Sequence, residues 1–97
     1  MCYDAAIPSG KKFSLGQIVA TPNALSTITQ DEIQCALARH IRGDWGTMSK
    51  EDWNANEQAL RHGERLFSVY YSAQEVKFWI ITEYDRSVTT VLMPEDY

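Results

Sequence analysis

Long apolar runs are missing from this chain: its uninterrupted clusters reach only the length of FWII at 78–81, far short of the roughly 18 residues a membrane-spanning helix needs. The N-terminus MCYDAAIPSGKK has no apolar h-region, and its basic pair follows the mildly apolar part. That order does not suit a secretory leader, so a cytoplasmic location is expected. Cysteine is scarce as well. Cys2 and Cys35 fall in unlike surroundings, a tail and a helix, and both read as thiols of a reducing compartment, with a Cys2 to Cys35 bridge left open. Basic residues are few and dispersed: residues 1–48 hold four basic and four acidic side chains, residues 49–97 hold five and nine, and the net charge is −4. Phosphate recognition needs a basic face, so direct nucleic-acid binding is not expected. The chain also lacks a glycine-rich phosphate loop, a CxxC pair, HExxH, GxSxG and an RNP-type aromatic strand. Those absences lower the expectation of an enzyme and leave no cofactor or metal to expect.

What is present suffices for one core. A chain of 97 residues with 44% hydrophobic content buries roughly 60–65% of its unfolded surface and needs no staple. Residues 1–12 read as a tail ending in the breaker PSGKK, and 13–97 as a single domain. FSLGQIVAT predicts a short strand. Thr21 before Pro22 predicts an N-cap followed by a proline at the first helical position, opening a short helix to about Ile28. Thr29 and Glu32 form a capping-box pattern ahead of Ile33, Ala36, Leu37, His40 and Ile41, which share one helical face, and Gly43 ends that helix. The device repeats with Ser49, Asp52 and Gly63, acids early and bases late, in accord with the helix dipole.

Beyond Gly63 the period becomes alternating. RLFSVYYS, EVKFWIITE and SVTTVLM predict three strands joined by short links, the last stopped by Pro94. The expected fold is therefore α+β: a short N-terminal strand, three helices, then a three-stranded antiparallel meander with the helices packed on one sheet face. EVKFWIITE is apolar on both sides and belongs at the sheet's centre.

Two polar clusters invite a functional reading. The first is ARHIRGDWGTMSKEDWN at 38–54. Its structural account makes Gly43 a helix stop, Asp44 a turn residue, Trp45 an apolar plug over the helix end, and His40 a half-buried, hydrogen-bonded core residue. Arg42-Gly43-Asp44 matches an integrin-binding tripeptide by letters alone. The second cluster is Glu83, Asp85 and Arg86 at a hairpin turn, where Asp85 and Ser87 should make turn bonds and Glu83 and Arg86 should pair. Were the two clusters to meet, His40, Asp44, Glu83, Asp85 and Arg86 would form a polar pocket with Trp45 and Tyr84 as an aromatic wall, fit for a hydrolase or for binding a small ligand. An i, i+4 metal pair from His40 and Asp44 is opposed by Gly43, so no metal site is assigned. Asn56, on a face with Trp53 and Leu60, should tie a backbone segment to its helix.

The strings FSLGQIVATPNAL, RHIRGDWG, EDWNANEQAL and WIITEYDRSVTTVLMPEDY together resemble a family of small orphan proteins carried on bacterial plasmids and other mobile elements. The resemblance runs from Phe13 to Tyr97. It departs at Tyr84, where the family pattern has a small residue, and a tyrosine there would narrow any pocket between Glu83 and Asp85. The resemblance implies no catalytic residue. The leading expectation is a non-enzymatic protein-interaction module, accessory to such an element, binding another protein or itself. Trp45, Trp79, Tyr70, Tyr71 and Tyr84 supply candidate anchors, with Asp44 and Arg86 beside them. A sheet apolar on both faces with helices on only one would find its second cover in a homodimer. The alternatives are the hydrolase or ligand-binding site above and an acidic inhibitor of a nucleic-acid enzyme, for which a charge of −4 is modest.

Overall fold

A computed structural model describes residues 10–97. Cys2 and all but the last three residues of the expected tail lie outside the described residues. Lys12 is already anchored, its N–H donating to the Ile41 carbonyl at 2.8 Å.

The elements follow the local signals closely. β1 is Gln17–Ala20, α1 Pro22–Thr27, α2 Gln30–Ile41 and α3 Lys50–His62, followed by β2 Leu66–Tyr71, β3 Lys77–Thr82 and β4 Val88–Leu92, with one 3-10 turn at Pro94–Asp96. Thr21 Oγ1 accepts from the Ala24 N–H at 3.1 Å. Thr29 and Glu32 bond reciprocally, each at 3.2 Å, and so satisfy two of the donors that α2 leaves open. Ser49 caps α3 through the Asp52 N–H at 3.1 Å. No helix among the described residues is long and apolar enough to cross a membrane.

The sheet is larger than the expected meander. β2, β3 and β4 pair antiparallel as anticipated, but β1 enters beside β4 in parallel, giving a mixed four-stranded sheet in the order β1-β4-β3-β2. Alternation in the sequence shows which side chains share a face; it carries no information about which distant strand lies alongside. β3 and β4 occupy the middle, β1 and β2 the edges.

On one sheet face Tyr70, Phe78, Ile80 and Val91 meet Ile33 and Leu37 of α2, forming the main core. A second cluster gathers Trp45, Ala59 and Leu66, with Phe13 and Trp53 packed against it. The opposite sheet face takes part of its cover from the chain itself. Phe67 and Trp79 meet edge to face at 4.9 Å, Tyr97 reaches Trp79 at 5.8 Å, and the Arg65 guanidinium lies over the Tyr97 ring. Asp96 Oδ2 holds that terminal segment in place by accepting from the Thr21 hydroxyl at 2.6 Å and the Met93 N–H at 3.0 Å.

Candidate functional site

The conspicuous stretch after α2 is an edge-closing device. Residue Gly43 has φ +82°, which ends the helix; beyond it the backbone of 45–47 lies along β2. The Val69 N–H donates to the Trp45 carbonyl at 3.0 Å, the Thr47 N–H donates to the Val69 carbonyl at 2.7 Å, and Gly46 bridges Val69 in parallel. One step along the same edge, Asn56 of α3 acts as a surrogate strand. Its Oδ1 accepts from the Phe67 N–H at 3.1 Å and its Nδ2 donates to the Phe67 carbonyl. Two successive outward positions of an edge strand are thus satisfied, which removes a template for unwanted pairing.

The side chains of the five polar candidates do not converge on one site. Asp44 binds Arg39 in a two-pronged pair at 2.8 and 3.3 Å and accepts from the Gly46 N–H. Burial would raise its carboxyl, but the Arg39 hydrogen bond and charge and the Gly46 N–H outweigh burial and hold it below the usual carboxylate range. Glu83 approaches Arg65 at 3.8 Å. The expected Glu83 to Arg86 ion pair is replaced by backbone capture: the Arg86 guanidinium donates to the carbonyls of Glu64, Glu83 and Tyr84 at 2.6, 3.1 and 3.2 Å. Asp85 makes the expected turn bonds to the Ser87 hydroxyl and N–H, which hold its carboxyl low. Arg86 does come near His40, with the Phe13 ring against both.

Of the aromatic candidates, Trp45 and Tyr70 are interior residues rather than surface anchors. Trp45 is fully buried, its indole N–H donating to Glu57 at 2.8 Å, and the Tyr70 hydroxyl donates to the Asp44 carbonyl at 2.5 Å. Trp79 is half-buried, while Tyr71 and Tyr84 are exposed.

His40 is enclosed within the core and belongs to a hydrogen-bonded chain whose other members, Ser68, Thr82 and Thr89, the sequence did not single out. Its Nδ1 lies 2.6 Å from Ser68 Oγ and its Nε2 2.9 Å from Thr82 Oγ1; Thr82 meets Thr89 at 2.7 Å, and Thr89 donates to the Leu15 carbonyl at 2.7 Å. The carbonyl can only accept, so it fixes the direction of the whole chain. Thr89 spends its one proton on Leu15 and must accept from Thr82, which must accept from Nε2–H, leaving Nδ1 to accept from Ser68. Burial, assisted by the Arg86 charge, lowers the imidazole to about 3. A serine within reach of a bare imidazole nitrogen has the geometry of an activated nucleophile, but both groups are fully buried. Nitrogen NMR of the imidazole should find the Nε2-protonated tautomer; an Nδ1–H signal would mean that the chain runs the other way.

Among the described residues, no group of three or more histidine, cysteine, aspartate or glutamate side chains is placed to hold a metal ion. Two hollows remain. One, of about 390 Å³, lies between α2 and β2–β3, with Cys35, Arg39 and Tyr71 in its wall; its guanidinium is already committed to Asp44 and lies over the Tyr70 ring. The other, of about 400 Å³, runs beside β1 under α1 and α2. Ile18, Val19, Leu25, Ile28, Ile33 and Leu37 line most of it, and among the described residues none that lines it is charged.

Beside this groove is the outer edge of β1. The Gln17 N–H donates to the Ser87 carbonyl and the Thr21 N–H to the Val91 carbonyl, each at 3.0 Å. Odd-numbered residues therefore turn their backbone inward to β4, and the even-numbered Ile18 and Ala20 turn theirs outward. Ile18 and Leu25 are 49% and 62% exposed. A signal for this site was legible in the sequence: QIVA carries no charge and no proline, two of the features that protect edge strands. Compared with known proteins, the chain matches no family model, no curated protein and no solved structure.

Proposed function

We propose that this chain is a small protein-interaction module that adds an extended, uncharged segment of a partner to the outer edge of β1, with apolar side chains of that segment entering the adjoining groove. The contrast between the two sheet edges carries this reading: β2 is closed at Phe67 by Asn56 and at Val69 by residues 45–47, whereas β1 presents Ile18 and Ala20 beside a neutral hollow. Strand addition gains affinity from main-chain bonds and selectivity from pockets for alternate side chains. The likeness to plasmid and mobile-element orphan proteins makes an accessory role in such an element, in the cytoplasm, the setting of the proposal.

Ile18→Pro is the sharpest probe. The outward N–H it removes bonds nothing in the β1–β4 ladder, and proline is tolerated at such an edge position. Random linear peptides panned on the sparsely immobilised chain should enrich for uncharged sequences rich in β-branched residues, and those peptides should lose binding to Ile18→Pro while circular dichroism stays unchanged. Binders indifferent to that substitution would point to another surface and refute the assignment.

A further inference from the structure

Resting on that reading, we infer that the segment fitting the β1 edge is β1 of a second copy, so that two chains join about a twofold axis into one continuous sheet. Only an antiparallel arrangement of the two strands satisfies such an axis, and three features restrict the register to one. Outward residues must pair with outward residues, so the axis passes through Ile18, Val19 or Ala20. An axis at Ile18 would set Ala20 opposite Gly16, whose φ of +65° is not extended and whose backbone is pressed against the carbonyls of Arg86 and Ser87. An axis at Ala20 would set Ile18 opposite Pro22, which has no N–H to give. The remaining register places Val19 against Val19 of the second copy, and Ile18 against its Ala20. Each of those Ile18–Ala20 pairs exchanges two N–H···O bonds, roughly four in all.

The chemistry around the axis favours a copy over an unrelated strand. An edge of four residues offers too few backbone bonds to hold a partner by themselves, so apolar area must contribute; in a twofold interface every apolar contact occurs twice. Ile18 falls on the helix-covered side, against Ala20 of the second copy and toward its groove, and Val19 falls on the other side against itself. Gln17, Ile18, Val19, Ala20 and Thr21 carry no charge, nor do the described residues that line the groove. Two chains of net charge −4 therefore meet at a place where no like charges face each other.

The register is tested by substitutions at Val19, which is 38% exposed and so tolerates change. In an antiparallel pair the non-hydrogen-bonded position sets its two Cα atoms about 4.5 Å apart, within the roughly 4.4–6.8 Å that a disulfide spans. In a background with Cys2 and Cys35 replaced by serine, Val19→Cys should cross-link rapidly under mild oxidant, and Gln17→Cys should not. Light scattering coupled to size exclusion should give a dimer for the wild type. Val19→Lys, which brings two ammonium groups together at the axis, should weaken it at least about tenfold, and Ile18→Pro should do likewise. A strict monomer up to millimolar concentration would overturn the inference while leaving peptide capture at β1 intact. A dimer insensitive to both substitutions, or lacking the Val19→Cys cross-link, would place the contact elsewhere and overturn it equally.

Discussion

Gly46→Ala is expected to remove more than about 3 kcal/mol of stability, beyond what the backbone conformation alone would cost. A Cβ at Gly46 would lie 1.9 Å from the Val69 carbonyl oxygen and 2.8 Å from the Tyr70 ring. Neither neighbour can yield freely. The Val69 carbonyl accepts from Thr47 in the bridge that closes the β2 edge, and Tyr70 is 2% exposed with its hydroxyl committed to Asp44. Gly63 is the internal control: its φ of +67° is equally left-handed, yet nothing lies within 4 Å of the added methyl. Gly63→Ala should therefore lose only the conformational penalty, about 1–2 kcal/mol. Urea denaturation of the two variants separates steric from conformational cost. Equal losses would mean that the 45–47 bridge gives way without consequence.

The second large effect is acid sensitivity arising from His40. An exposed histidine in the unfolded chain titrates near its ordinary value of 6.5, whereas burial holds the folded group to about 3. Below 6.5 the unfolded chain takes up a proton that the folded chain refuses, so the contribution is fully present above 6.5 and is lost progressively as the pH falls toward 3. The loss should be about 2 kcal/mol at pH 5 and about 3 kcal/mol at pH 4. Carboxylates with lowered values, such as Asp44 and Asp96, destabilise the fold over an overlapping acid range. Comparison with His40→Gln removes that shared part. Between pH 6 and 4 the wild type should lose stability with a slope steeper by about one proton; parallel slopes would show that the imidazole accepts its proton without leaving the fold.

The local features of this fold were legible because their causes are local. Thr21 with Pro22, Thr29 with Glu32, and Ser49 with Asp52 announce their helices within a few residues, and each makes the bond its pattern implies. Asn56 was legible as a backbone tie because an amide on an apolar face must find partners, though not that it closes a sheet edge. The pairing of β1 with β4 was hidden, since no pattern in QIVA names a neighbour at the far end of the chain. The buried chain on His40 was half visible. A polar group on the apolar face of α2 demanded partners, and Ser68 and Thr82 share strand parity with Tyr70 and Ile80, but only the packing of helix on sheet brings them together. Trp45 was ambiguous for a related reason: an indole after a helix stop can face solvent or fold inward, and the Glu57 carboxylate and the Phe13 ring, stacked at 6.2 Å, accompany it inward.

Because the first strand finds its neighbour in the last, sheet completion is out of step with synthesis. Residues 17–20 leave the ribosomal tunnel early, and nothing in α1, α2 or α3 offers them a ladder; only after residues 88–92 have emerged can they dock. During that interval an uncharged stretch with two β-branched residues has no ladder of its own to join.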